Sequence, residues 1–182
     1  QLDVWRQFRV TSSFPADTQL LAEVTARQFE WRIRYPKPGR EFKNSMEVKQ
    51  WLAGPQDGDL YTVNDLRIPV DKNVLIYLRS MDVQHSFFVP ALRIKQDAVP
   101  GTVIPIWFGA TQRGDFDLTC TELCGWGHYK MRGRVFAQTE VEHGQYLKTL
   151  EAEQSFDGVT KPGTSGAMVA SWGVSDSVKD DD

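Results

Sequence analysis

The sequence predicts an all-β fold, an antiparallel β-sandwich, and three observations carry that reading. From Tyr61 onward, short runs rich in Val, Ile, Thr and aromatic residues follow one another, divided by Gly, Pro and Asp. Short strands and turn residues at regular spacing are the pattern of a sandwich rather than of a helical or α/β chain. The chain has 182 residues, 41% hydrophobic and 12% aromatic, enough to bury a core without disulfide staples. Helical signals are confined to one insertion and to the stretch after the last strand.

Residues 1–19 read as a turn-like leader ending in Phe14-Pro-Ala-Asp-Thr. Leu20 to Tyr35 reads as one long strand, with Leu21, Glu23, Thr25 and Arg27 on one face and Ala22, Val24 and Ala26 on the other. Pro36 and Pro38 stop it, since proline has no N–H to give a ladder. Residues 37–60 form a polar insertion in which Asn44 and Glu47 have capping-box spacing. Gly54 would close the short helix that follows, with Val48, Trp51 and Leu52 as its buried stripe. Strands are then expected at Tyr61 to Asn64, Leu66 to Val70, Val74 to Arg79, Phe87 to Ile94, Val103 to Phe108, Asp115 to Thr119 and Gly133 to Ala137. Glu140 to Gln154 predicts a helix with Leu147 and Leu150 facing inward. From Ser155 the chain is polar and rich in Gly, Ser and Asp, a composition expected of a flexible tail. The expected division is a leader at 1–19, a sandwich domain at 20–154 and the tail at 155–182.

Charge excludes one class of function. The net charge is −3, and the tail from Ser155 carries all of it, with five Asp against two Lys. Residues 1–154 balance at 19 basic against 19 acidic, without the clustered basic face that nucleic acid requires. No apolar run approaches the roughly 18 residues of a membrane span, and no signal peptide is visible. The chain therefore reads as a mature soluble protein or as a soluble piece of something anchored.

The chemistry concentrates in Cys120-Thr-Glu-Leu-Cys124-Gly-Trp-Gly-His128-Tyr-Lys-Met131, a C-x3-C-x3-H-x2-M pattern that holds both cysteines of the chain. His85 lies 35 residues upstream. Thiolate and thioether are soft donors that favour copper, and imidazole suits it too. A Cys120–Cys124 disulfide would leave His128 and Met131 without a purpose. A structural zinc would use Cys120, Cys124, His128 and His85 and omit the methionine. A mononuclear blue-copper site would leave one cysteine over. A two-copper site uses all five residues, each thiolate bridging both metals and Met131 binding weakly. A backbone carbonyl such as that of Glu122 is then the nearest oxygen for the remaining position.

These residues closely resemble the dinuclear copper A centre of cytochrome c oxidase subunit II. The stretch Asp82-Val-Gln-His85-Ser-Phe-Phe-Val-Pro-Ala-Leu-Arg-Ile-Lys-Gln-Asp97-Ala-Val-Pro-Gly101 is a second block similar to that family, and the likeness spans about residues 20–152. It implies a cupredoxin-like Greek-key sandwich and copper ligation by His85, Cys120, the Glu122 carbonyl, Cys124, His128 and Met131. It implies, too, that the Glu122 side chain binds magnesium at the border with subunit I. The function implied is electron transfer from cytochrome c, or from a bound c-type cytochrome, to a haem of subunit I for dioxygen reduction. The domain itself would be a relay that makes no bonds, placed on the outer, periplasmic face of the energy-transducing membrane. Quinol-oxidising relatives lack the copper ligands, so their presence favours cytochrome c as donor. Two readings stand beside it: a stand-alone relay for another reductase, as in nitrous oxide reductase, and a structural zinc interaction domain.

The family normally begins with two membrane helices, and the residues read here include none, so anchoring stays open at this point. Its aromatic strand carries a tryptophan directly after a glutamine, whereas this chain has Gln28-Phe29-Glu30-Trp31. Phe29 falls at the usual place for electrons to come in, and Trp31, two residues on, would share its face if both lay in a strand. Trp126 inside the ligand loop is the third candidate, as a shield for the metals or a path from the donor. Asp97 is the candidate for docking a basic cytochrome, while Asp115 and Asp117 read as turn and edge charges. His143 is expected to be an ordinary surface histidine, and Met46, Met81 and Met168 packing or linker residues.

Overall fold

A computed structural model describes residues 1–156. Its elements in chain order are α1 (Leu2–Arg9), β1 (Gln19–Arg27), β2 (Glu30–Tyr35), α2 (Ser45–Leu52), β3 (Leu60–Val63), β4 (Asp65–Pro69), β5 (Val74–Ser80), β6 (His85–Val89), β7 (Ile94–Ala98), β8 (Ile104–Phe108), β9 (Gly114–Cys120), β10 (Arg132–Gln138) and α3 (Glu140–Phe156). One five-stranded sheet runs β3-β2-β1-β5-β8 and the other β4-β10-β9-β6-β7. Ala22, Val24, Ile33, Ile76 and Leu78 from the first sheet meet Leu66, Ile68, Phe87, Leu118 and Val135 from the second, all without solvent exposure. The sandwich is the one expected. Its sheets are not purely antiparallel, because β1 pairs parallel with β5 and β4 parallel with β10. The tail expected from Ser155 lies, from residue 157 on, outside the described residues, as does Met168.

Three expected elements are corrected. Leu20 to Tyr35 is not one strand: the chain reverses at Gln28-Phe29, and β2 returns along β1 with Val24 opposite Ile33 and Ala26 opposite Trp31. Neither turn residue is Gly or Pro, so the reversal carries no local signal. Phe87 to Ile94 is likewise two strands, because Pro90 opens a 3₁₀ turn and Arg93, at φ 55°, takes the left-handed conformation that turns the chain back into β7. The leader forms α1, held by Phe8 stacking on Trp107 with ring centroids 5.4 Å apart. Eight residues are too few for a helix to stand alone in water, so this tertiary contact decides what local sequence does not.

The insertion is fixed to the outside of the first sheet by a buried charge network. Asn44 caps α2 as expected, its Oδ1 accepting from the Met46 and Glu47 amides at 3.0 Å. Arg34 on β2 donates to Glu23 at 2.7 Å and to Asp59 at 3.0 Å, and lies 4.2 Å over the Trp51 ring. It also donates to the carbonyls of Trp51 and Gly54, and the Trp51 indole donates to Asp59 at 2.9 Å. Arg34, Glu23, Asp59 and Trp51 are all buried. A buried ion pair of this kind costs desolvation that good geometry offsets, but a lone survivor is not offset.

His143 is the fourth correction. It is 8% exposed, packed edge-on to Tyr35, and its Nδ1 has no hydrogen-bond partner. Burial, then the Arg67 charge, lowers its pKa from the usual 6.5 to about 4. The helix register places this residue inward together with Leu147 and Leu150, which pack on the core.

Two outcomes follow from these contacts. Arg34→Met leaves Glu23 and Asp59 buried without their main partner and is expected to cost about 3–5 kcal/mol in urea unfolding. His143 is neutral when folded, so its contribution is complete above pH ~6.5 and is lost as pH falls towards 4. The loss amounts to about 3 kcal/mol. In His143→Leu the fall in urea midpoint between pH 7 and 4.5 is expected to be shallower than in the wild type.

Candidate metal centre

Three segments converge at one end of the sandwich. β9 delivers Cys120 as its last residue, and the loop to β10 carries Cys124, His128 and Met131. β6 opens with His85, and its pairing with β9 sets Phe87 opposite Cys120. The third segment is the β1–β2 turn with Gln28 and Phe29. Cys120, Cys124, His85 and Met131 are buried and His128 is half-buried.

The donor atoms gather around the two sulfurs. Cys120 Sγ lies 3.9 Å from Cys124 Sγ, and both cysteines are free. A disulfide needs about 2.05 Å between sulfurs, so the pair is unbridged. His85 Nδ1 stands 3.9 Å and the Glu122 carbonyl oxygen 3.2 Å from Cys120 Sγ. His128 Nδ1 stands 3.6 Å and Met131 Sδ 3.8 Å from Cys124 Sγ. All six donors of the two-copper reading thus meet in one place, and the ligand atoms of His85, Cys120 and Cys124 lie within 4.8 Å of one another.

The surroundings push the two thiols in opposite directions. Burial pushes the Cys120 thiol up, but hydrogen bonds from His85, the Ser86 and Glu122 backbone and His128 outweigh it and leave its pKa at about 6. Cys124 is driven up to about 12, first by burial and then by the neighbouring Cys120 charge. Thiolate rather than thiol is the metal ligand, so a cation bound at Cys124 would displace its proton.

Asp82 supports this arrangement and was not singled out from sequence, although it opens the upstream block. Its Oδ1 lies 2.8 Å from His85 Nε2, which leaves Nδ1 facing the sulfurs. The same carboxylate accepts from the amides of Val83 and Gln28, each at 2.7 Å. Gln28 in turn donates through Nε2 to the Cys124 carbonyl at 2.5 Å. One carboxylate thereby ties together the histidine, the turn and the ligand loop. Only the folded contacts reveal this, since Gln28 and Cys124 are 96 residues apart.

The remaining candidates are placed as follows. Trp31 is fully buried, edge-on to Phe87 at 5.6 Å and 6.4 Å from the His85 ring. It does not share a face with Phe29, because Phe29 sits in the turn rather than in a strand. Phe29 packs edge-on to Trp126 at 5.2 Å, and Trp126 is 77% exposed with Lys130 Nζ 4.4 Å above its ring. Gly125 lies at φ +133°, and a side chain there would stand 2.7 Å from Gln28 Nε2; one at Gly127 would overlap the Phe29 ring. Leu123 and Tyr129 extend the exposed apolar rim of the loop. Asp97 accepts from Ser86 at 2.7 Å and from Lys95 at 3.1 Å. Asp115 and Asp117 both pair with Arg134. Met46 and Met81 are exposed.

Comparison with known proteins adds to this geometry. Residues 20–137 match the family described as the periplasmic domain of cytochrome c oxidase subunit II. The alternative cytochrome c oxidase subunit 2 of Bradyrhizobium diazoefficiens is 36% identical over 169 residues, covering 87% of this chain and 58% of the relative. Cytochrome c oxidase subunit 2 of Cereibacter sphaeroides is 32% identical over 150 residues, covering 72% and 50% respectively. The chain thus spans about half the length of these curated relatives. The crystal structure of the periplasmic domain of subunit II (CoxB) of Bradyrhizobium japonicum aligns with a TM-score of 0.59 and 23% identity. That alignment covers 77% of this chain and 96% of that one. At that identity the likeness bears on fold, and the fold is cupredoxin-like.

Removing the carboxylate that orients His85 tests the support of the site. Asp82→Ala is expected to weaken metal binding roughly 10–100-fold, measured by chelator competition.

Proposed function

The chain belongs to the cytochrome c oxidase subunit II family, and from that premise we propose that it is the copper-binding, electron-relaying domain of a terminal oxidase. His85, Cys120, Cys124, His128 and Met131, with the Glu122 carbonyl, would hold two coppers between them. The observation that carries this reading is the pair of unbridged sulfurs 3.9 Å apart, each beside an imidazole Nδ1. The donor set fits copper by its chemistry. Two thiolates, two imidazoles and a thioether are soft to intermediate donors, and a tetrahedral zinc site would have no use for the buried Met131 Sδ 3.8 Å from Cys124. When bound, the copper pair supplies a one-electron redox couple.

The protein's own part is to hold that couple still and to insulate it. Both cysteines and Met131 are buried, so water is kept from the sulfurs. Asp82 fixes the His85 ring through Nε2, and Gln28 fixes the loop through the Cys124 carbonyl. Ligands held in this way move little when the charge on the site changes, which keeps the reorganisation barrier low. Electrons would come in from a c-type cytochrome where the site reaches the surface, at Trp126 and the Phe29 ring beneath it. They would leave towards a haem of subunit I. Trp31 lies in the core against the His85 ring, where it fills space rather than meets a partner. The half-buried Glu122 leaves its carboxylate available for magnesium at the subunit border.

Copper titration of the purified, reduced chain tests the reading. Two coppers per chain and a coloured, mixed-valence product are expected; one zinc and a colourless protein would overturn it. Cys120→Ser or His128→Ala is expected to abolish the two-copper spectrum. Met131→Leu is expected to keep both metals and shift the reduction potential, because a thioether donor is weak.

A further inference from the structure

The surface around the ligand loop is apolar, and its unmatched charges have one sign. Leu123, Trp126 and Tyr129 on the β9–β10 loop, Val83 between β5 and β6, and Val99 and Val103 between β7 and β8 are all 36–79% exposed. The His85–Ala98 pair and the Ser80–Pro100 bridge bring these connections to the same end of the sandwich. The carboxylates at this end are engaged. Asp82 contacts His85 and accepts from the Gln28 and Val83 amides. Asp97 pairs with Lys95 at 3.1 Å and Asp65 with Arg67 at 3.0 Å, while Glu30 is shared by Arg32 at 2.7 Å and Arg27 at 3.9 Å. Glu122 alone has no such partner among the described residues, and it is half-buried. Lys130 and Arg132, by contrast, are exposed and form no ion pair among the described residues. Lys130 Nζ instead lies 4.4 Å over the Trp126 ring and 5.8 Å from the centre of the Tyr129 ring.

An apolar patch with unmatched cations at its rim fits a partner whose own apolar contact is edged by carboxylates. We propose, resting on the relay function, that the donor docking here is an acidic c-type cytochrome, in place of the basic donor that Asp97 alone would suggest. Its carboxylates meet Lys130 and Arg132, and its exposed haem edge lies on Trp126, Leu123 and Tyr129. Lys130 is then the residue that selects. The ammonium that lies over Trp126 draws a carboxylate to the edge of the contact and repels a lysine there. Complementary charge acts mainly on how fast and in which orientation two proteins meet, while the apolar contact holds them. None of these contacts involves the metal ligands, so docking can be followed with or without copper.

The test is an NMR titration of the isotopically labelled full chain, copper-free and copper-loaded in the reduced state, followed at the Trp126 indole N–H. The probes are a ferrous, lysine-rich cytochrome c and the same protein with its lysines succinylated, which keeps the haem edge and inverts the charge. The succinylated probe is expected to shift the Trp126 signal at lower concentration than the unmodified one, and to lose affinity as salt is raised. Lys130→Gln with Arg132→Gln is expected to weaken its binding about fivefold. Lys130→Glu with Arg132→Glu is expected to make the unmodified probe the tighter binder, and Leu123→Ser to weaken both probes alike. All three side chains are exposed, so the variants are expected to melt as the wild type does. Equal or tighter binding of the unmodified probe to the wild type, no shift at Trp126 with either probe, or an unchanged preference in the glutamate variant overturns the proposal. The relay function fails separately, on copper stoichiometry: a chain that takes up two coppers yet prefers the unmodified probe refutes the donor's charge alone.

Discussion

Across β6 and β9, Phe87 faces Cys120 and Phe88 faces Thr119, and this register brings a histidine and a cysteine 35 residues apart in sequence to within 3.9 Å. A slip by one residue would turn every side chain of β6 to the other side of the sheet. His85 would then leave the sulfurs, and Phe87 would leave the core it shares with Trp31 and Phe108. The packing of Phe87 and the approach of His85 to the sulfurs therefore depend on the same register, and neither has to be sacrificed to the other. The carboxylate of Asp82 extends the constraint outward, because it holds His85 from behind while pinning the turn that in turn holds the ligand loop.

That arrangement explains how two thiols can be kept close and buried without joining. The backbone sets the sulfurs 3.9 Å apart, beyond bonding distance, and the surrounding donors stabilise a single negative charge on Cys120. The glycines of the loop serve the same end: Gly125 and Gly127 have no side chain to displace Gln28 and the Phe29 ring seated against them. A preorganised set of soft donors asks little movement of the protein when metal binds or changes charge. Thiolate rather than thiol binds metal, which makes metal uptake a proton-releasing event.

Much of this was legible in the sequence, for physical reasons. The candidate ligands of the β9–β10 loop lie within twelve residues, so their spacing alone displays them, and only His85 had to be supplied from elsewhere. Most strands with Pro, Gly or Asp at their ends could be read; the reversal at Gln28-Phe29 has neither Gly nor Pro, and the one that begins at Pro90 has apolar residues on both sides of the proline. Nothing in the sequence marks Arg34, Glu23 and Asp59 as buried, because burial of a charge depends on partners distant in sequence. Asp82 and Gln28 escaped for the same reason. His143 looked like a surface residue because a lone histidine in a polar helix gives no sign of which side faces the sheet.

The central claim is that two sulfurs hold two metals as one redox unit. The electron spin resonance spectrum of the copper-loaded, oxidised chain tests it most directly. The account predicts hyperfine splitting from one unpaired electron shared equally between two copper nuclei. Splitting by a single copper nucleus, or a spectrum unchanged when Cys124 is replaced by Ser, would contradict it.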